Sequence, residues 1–323
     1  MAGYILRRLL QSIPLLLVIT IIIFLLLQMT PGGPLAMGET SGSGRVTAEQ
    51  LEHLRAAYGL DKPLYIRYVY WLRDFIQGDW GTSFNTGRPV LIMILERLPT
   101  TLLLTGLAYL VMLVLSFPIG IFSSVRQYSL FDYLLTSLAF IGISIPSFWF
   151  GLLLLYFFSF KTGWLPAFGL TDVSHDYTGI AHLWDMGRHL LMPVSALALI
   201  DTAAVTRYIR ASMLEIIHQD FVRTARAKGL GERKIILKHV LRNATIPIVT
   251  VLALRIPDLF LGTVVTETIF AIPGMGRLFI MSADLRDYPV LMGILVIAAI
   301  LVILSNLLAD VLYAALDPRI RVG

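Results

Sequence analysis

The sequence predicts an all-α polytopic membrane protein with six membrane-spanning helices. Three observations lead there. Of 323 residues, 57% are hydrophobic and 15% are charged, against about 45–50% apolar and about 25% charged residues in an average soluble domain. Six apolar runs, roughly 5–29, 98–125, 132–160, 190–212, 246–270 and 289–315, are each long enough to cross a membrane, which takes about 20 residues. Finally, Lys and Arg are divided unequally between the two sets of connections those runs define.

The apolar content excludes a disordered chain, and mean hydropathy is +0.77. The absence of cysteine excludes a disulfide scaffold, thiolate catalysis, zinc fingers and iron–sulfur clusters. The net charge of +5 matters less than its placement.

The first run follows Arg7 and Arg8, as a signal peptide would. Signal-peptide cores span only about 7–15 residues, whereas this run continues from Leu9 to Leu27 and ends in Thr30-Pro31-Gly32-Gly33-Pro34. It reads as a retained helix that tolerates Pro14 or kinks there. Residues 38–48 read as a flexible linker. Thr47, with Gln50 three residues on, then starts a helix carrying Leu51, Leu54 and Tyr58. A second amphipathic piece covers Tyr65 to Ile76 and stops near Gly78. The 30–97 segment is therefore expected to be a small helical insert. The N-terminus, residues 126–131, residues 207–245 and the C-terminus carry fourteen Lys and Arg. Residues 30–97, 161–189 and 271–288 carry eleven, seven of them in the long first loop, where the count weighs little. Both termini are thus expected in the cytoplasm, and the insert outside.

Motifs for self-contained chemistry are missing. No Gly-x-x-x-x-Gly-Lys-Ser/Thr is present to bind ATP, and no His-Glu-x-x-His or Gly-x-Ser-x-Gly to hydrolyse a bond. His175, His182 and His189 recur every seven residues, unlike the i,i+4 pairs of helical metal sites, and read as ordinary loop histidines. Charges inside the apolar runs are more telling, since one at the bilayer centre costs roughly 2.5–3.5 kcal/mol. Asp201 falls near the middle of the fourth run. Arg255 and Asp258 fall near the middle of the fifth, with Pro257 between them, and Glu267 lies toward its outer end. Arg255 and Asp258 are spaced to pair on one helix face, and Pro257 suits a broken helix at a polar pathway. These four are the candidate pathway residues; an ion pair between helices without a transport role is the competing reading. Asp310 reads as interfacial and structural.

Residues 213–245 form a dense basic projection. Two helical pieces meet at Gly229-Leu230-Gly231, with Gly229 suited to a positive-φ cap and Glu232 to the next helix start. A nucleic-acid reader would need stacking or groove-reading residues that are missing here. An amphipathic surface helix is the plainer alternative.

At this point the sequence resembles the permease subunits of binding-protein-dependent ABC importers, in the dipeptide/oligopeptide/nickel branch. Arg223-Thr224-Ala225-Arg226-Ala227-Lys228-Gly229 occupies the family's Glu-Ala-Ala-x-x-x-Gly signature, with Arg223 and Thr224 replacing Glu and Ala. The general Ile-x-Leu-Pro element is replaced by His239, Val240, Leu241 and Arg242, and proline comes at Pro247. These departures are those of the peptide branch. Thr30–Pro34, Gly59-Leu60-Asp61-Lys62-Pro63-Leu64, Gly78-Asp79-Trp80-Gly81, Ser144-Ile145-Pro146-Ser147-Phe148-Trp149, Gly163-Trp164-Leu165-Pro166, Glu267-Thr268-Ile269-Phe270 with Pro273-Gly274-Met275-Gly276, Asp287-Tyr288-Pro289 and Asp317-Pro318-Arg319 fit as well.

The resemblance implies a type I ABC importer permease fold in the bacterial cytoplasmic (inner) membrane: a first span over 1–29, the insert over 30–97, and a five-span core over 98–323. It implies a non-catalytic subunit that binds no cofactor itself and forms half of a path. A second homologous permease, expected to be a different chain, supplies the other half. Two separate ATPase subunits bind ATP and Mg, and an extracytoplasmic binding protein delivers the substrate. Phe221, Arg223, Thr224, Ala225, Arg226, Ala227, Lys228, Gly229 and Leu230 would form the ATPase-coupling helix. Peptides lead the substrate classes, ahead of nickel chelates and oligosaccharides. A self-powered secondary transporter would need inverted repeats, and an intramembrane enzyme a nucleophile–base pair in the spans; neither is visible in the sequence.

Overall fold

Glycine, proline and charge positions decide where the helices begin and end. The computed structural model describes residues 2–29, 62–256, 259 and 263–316. The helix expected after Thr47, the linker over 38–48, the Thr30–Pro34 motif, Asp258 with Pro257, and Asp317-Pro318-Arg319 lie outside the described residues. The chain is helical, with α1 (Ala2–Gln28), α2 (Leu64–Ile76), α3 (Val90–Val125), α4 (Leu130–Ser144), α5 (Ser147–Leu154), α6 (Gly179–Ile217), α7 (Asp220–Ala227), α8 (Glu232–Lys234), α9 (Leu241–Ala253), α10 (Val264–Ile269), α11 (Met275–Asp284) and α12 (Tyr288–Leu316). π-helical turns, Leu155–Lys161 and Ile235–Val240, extend α5 and join α8 to α9. Among the described residues four helices are long and apolar enough to span a membrane, and up to six spans result if each of two bent pairs counts as one.

Four expected spans differ from the structure: the fourth begins at Gly179, eleven residues before 190, so His182 and His189 lie in α6 and not in a loop, and three others change as follows. The second begins at Val90, eight residues before 98, because Val90 and Ile94 are fully buried core residues. Glu96, Arg97 and Pro99 obscure this in the sequence. The third breaks: α4 and α5 meet at 101°. Pro146 has no N–H to give and pushes Ile145 to an extended conformation, with ψ 124°. The fifth is also discontinuous. Its helix α9 ends at Ala253, and α10 begins only at Val264. Pro14, in contrast, sits within an unbroken α1.

The 39-residue α6 and 36-residue α3 are about 58 and 54 Å long at 1.5 Å per residue. They form the most extensive helix pairing among the described residues. Gly120 permits it, since a Cβ there would lie 2.7 Å from the Ile209 side chain. α6 reaches well beyond a hydrocarbon layer of about 30 Å. Around one end, Met112, Ile209, Met213 and Ile217 pack with Val222, Ile235, Ile236 and Val240. Around the other, Leu104, Met192 and Ala198 pack with Leu155, Phe270 and Ile272. Helices α1 and α2 lie against α12 through Phe24, Tyr68, Trp71 and Met292, and Arg8 pairs with Asp310 at 3.2 Å.

Asp132 fastens α4 to α6. Its carboxylate accepts from Arg210 Nε at 2.7 Å and Nη2 at 2.8 Å, from the Tyr128 amide at 3.0 Å, and from the Ser123 hydroxyl. Ser129 caps the start of α4 by accepting from the Asp132 amide. We predict that Asp132→Ala, which strands a partly buried guanidinium, lowers stability by about 3 kcal/mol, and that Asp132→Ala/Arg210→Leu recovers part of the loss. Thermal unfolding of the purified protein in detergent tests this; a change near zero for the single variant rules the clamp out.

Candidate functional site

The basic projection is built on a short helix that faces two ways. α7 follows the end of α6, with Gln219 in an extended conformation at its N-cap. Val222 and Ala225 point inward to the cluster around Met213 and Ile235, while Phe221, Arg223, Thr224, Ala227 and Lys228 are exposed. The helix stops in a Schellman turn. The Leu230 amide donates to the Ala225 carbonyl and the Gly229 amide to the Arg226 carbonyl, at 3.3 and 2.9 Å. Gly229 has φ +73°, the left-handed region where a side chain is strained. Arg226 Nε donates to Glu232 Oε1 at 2.7 Å, clasping α7 to α8 across the turn. Leu230 packs on the same core as Ala225. The result is a compact knob on which an aromatic ring and two cations, Phe221, Arg223 and Lys228, are exposed.

The intramembrane charges separate into two places. Arg255 is two residues past the end of α9, in a turn, and reaches across to α6. Its Nη1 donates to Asp201 Oδ1 at 2.5 Å. The expected Arg255–Asp258 pairing along one helix does not account for this, because the helix ends before Arg255 and Asp258 lies outside the described residues. The pair borders a cavity of ≈ 220 Å³ whose walls include Thr105, Tyr109, Leu197 and Thr263. Tyr109 donates to the Leu252 carbonyl at 3.0 Å, tying α3 to the last turn of α9.

Glu267 is elsewhere. It is 0% exposed, and its carboxylate accepts from Thr101 Oγ1 at 2.7 Å, Thr263 Oγ1 at 2.6 Å and the Arg277 amide at 3.0 Å. It sits at the N-terminus of α11, where the free amides and helix dipole favour an anion. Gly274 and Gly276 make room for it: a Cβ on Gly274 would lie 2.4 Å from the carboxylate, and one on Gly276 2.5 Å from the Val264 Cα. In this conformation Glu267 lines no surface and joins α3, α10 and α11.

Outside the spans, residues 79–89 dock on the turn before α12. Asp287 accepts from Ser83 Oγ at 2.5 Å and the Phe84 amide at 3.1 Å. In the loop before α6, the Ser174 hydroxyl and amide, then His175, hold the Asp172 carboxyl down at about 2. That turn keeps its anionic acceptor above the ordinary carboxylate value and loses it only as pH falls through about 2. His189 is buried and donates from Nδ1 to the Asp185 carbonyl. Among the described residues no group of three or more His, Asp and Glu is placed to hold a metal ion.

The family described as "Binding-protein-dependent transport system inner membrane component" matches residues 116–322, and its N-terminal companion, "Binding-prot-dependent transport system membrane comp, N-term", matches residues 1–105. The chain belongs to this family. It is a multi-pass membrane permease of the ABC transporter class. The oligopeptide transport system permease protein AppB of Bacillus subtilis is 44% identical over 322 residues, covering 99% of this chain and 100% of its own. The dipeptide transport system permease protein DppB of Escherichia coli is 36% identical over 338 residues, covering 99% of each. A chain of the MetNI methionine ABC transporter, solved in inward-facing conformations, superposes with a TM-score of 0.56 at 18% identity, over 70% of this permease and 97% of that chain. That likeness concerns the fold alone.

Sequence reasoning missed Asp132, Tyr109 and Thr101. Only Asp132 left a signal: Ser129 with an acidic residue three positions later resembles a capping box. We predict that Gly274→Ala destabilises this permease by about 1–3 kcal/mol through forced displacement of the carboxylate. Glu267→Ala should do at least as much, because three donors lose their acceptor at about 1–3 kcal/mol per buried group. Limited proteolysis between α10 and α12 checks both; wild-type resistance in either variant removes the joint.

Proposed function

We propose that this permease is the membrane subunit of an ATP-driven importer of di- or oligopeptides in a bacterial cytoplasmic membrane. The observation that carries the reading is the full-length match to oligopeptide and dipeptide permeases, joined to a compact basic knob at the end of the longest helix. The chain contributes half of a translocation path and a different, homologous permease the other half. Two ATPase subunits holding ATP and Mg dock beneath, and an extracytoplasmic binding protein supplies peptide. The termini lie in the cytoplasm and the 30–97 insert outside, where it helps receive the binding protein. Asp201 and Arg255 line the path.

In this scheme α7 seats in a groove of an ATPase subunit, with Phe221 as the apolar anchor and Arg223 and Lys228 as its charged rim. Closure of the ATPases on ATP moves α7. The Val222–Ile235–Met213 packing passes that motion to α6, and Gly120 against Ile209 passes it to α3. ATP biases the path toward the outside because the ATPase contacts differ between the two states.

Two experiments test the proposal. Mild-detergent purification of the tagged permease is expected to recover P-loop ATPases and a second multi-span permease; recovery of this chain alone, in a stable state, overturns it. Gly229→Glu is expected to cut ATP-driven peptide uptake by roughly 5–150-fold, the span of a coupling free energy of about 1–3 kcal/mol, at normal membrane abundance. Uptake at the wild-type rate would remove α7 from the coupling path.

A further inference from the structure

Among the described residues, two charged pairs inside the helical body are open: Arg8–Asp310, where α1 meets α12, and Asp201–Arg255, beside a cavity. Asp132 is 2% and Glu267 0% exposed, whereas the Asp201 and Arg255 side chains are 49% and 28% exposed. Asp132 and Glu267 each accept several hydrogen bonds. Asp201 and Arg255 share one, Nη1 to Oδ1. Among the described residues the second Asp201 oxygen and the rest of the guanidinium fork have no partner. Arg255 also stands on turn backbone beyond α9, its amide donating to the Leu252 carbonyl at 3.1 Å. The cavity beside the pair is lined by Ala108 and Leu197 and by Thr105 and Thr263, whose hydroxyls donate to the Thr101 carbonyl and to Glu267.

A zwitterionic peptide meets the same difficulty as this pair. It carries two opposite charges into a passage with apolar walls, and each loses several kcal/mol of solvation there unless it finds a partner. The Arg255 fork matches a carboxylate with two parallel N–H donors. Asp201 offers an ammonium group its free oxygen. When both act, one resident pair becomes two pairs and no charge is left uncompensated. When the peptide leaves, Asp201 and Arg255 close on each other again.

We propose that Asp201 and Arg255 form an exchange site in which Arg255 takes the C-terminal carboxylate and Asp201 the N-terminal ammonium of a peptide in transit. This rests on the peptide-importer reading.

The test crosses permease variants with ligand variants. The whole transporter is reconstituted in proteoliposomes with ATP and saturating binding protein. Uptake is measured for dialanine, its C-terminal amide and its N-acetyl form. Arg255→Gln is expected to slow the free peptide about tenfold relative to the amide, the size of one charge-assisted hydrogen bond, so that discrimination against the amide falls. Asp201→Asn should do the same for N-acetylation. The same binding protein serves every permease, so its own preference cancels in these ratios. For forms it does not deliver, the ratios are read by saturation-transfer NMR from the transporter to the peptide; no contact with wild type there overturns the site. If a single variant does not assemble, Asp201→Asn/Arg255→Gln replaces the pair by a neutral couple and should flatten both preferences. Ratios equal to wild type, with all three ligands slowed alike, mark a purely structural pair and overturn the proposal. A wild-type transporter that imports no peptide at all overturns the peptide-importer reading instead, and the exchange site with it.

Discussion

A carboxylate taken out of water forfeits several kcal/mol of solvation, and the loss is tolerable only where other groups replace the water. Three carboxylates carried by the apolar stretches of this chain meet that condition in three ways, and the helix arrangement follows from them. Asp132 takes a guanidinium and two further donors, which fixes α4 on α6. Glu267 takes two hydroxyls and the amide end of α11, which fixes α10 on α3 and α11. Asp201 takes a single guanidinium from the break in the fifth segment. The first two are sealed and hold the frame. The third is open, at the place where backbone and side chains leave room.

The frame has a long axis. α6 runs unbroken for 39 residues past both the Asp132 clamp and Asp201, and it ends at the basic knob. A single rigid element therefore connects the surface suited to a partner with the charge pair beside the cavity. The packing along it is dry and close: Met213 and Ile209 are fully buried, and Gly120 has no room for a side chain. Densely packed interiors of this kind transmit displacement with little give.

Much of this was legible in the sequence because membranes simplify the code. Long apolar runs located α1, α6 and α12, and Gly229 with Glu232 located the turn of the knob. Other features are governed by contacts between residues far apart in the chain. The early start of α3 depends on Val90 and Ile94 packing beside Gly293, two hundred residues on, where a Cβ would clash at 2.6 Å. The partner of Arg255 lies on another helix, so i,i+3 spacing pointed to Asp258 instead. Glu267 stood out as a charge in an apolar run, but two glycines nearby in sequence and Thr101 on a distant helix make it a joint. Proline was ambiguous: Pro14 lies within an unbroken helix, whereas Pro146 stands at a sharp bend with Ile145 extended before it.

That sharp turn has a mechanical side. The limb before it, α4, is fastened to α6 by Asp132 and by Gly142 resting on Ala203. The limb after it, α5, rests on α10 through Gly151 and Phe270. A right-angled corner cannot carry thrust along its own length as a straight rod does. α5 also packs on α6, in the cluster that joins Leu155 to Met192, so α6 holds both limbs. The third segment is thus a brace bent at Ile145 and Pro146: α4 grips α6 at Arg210 and Ala203, α5 grips it near Met192, and two levels of one long helix are held by a single corner.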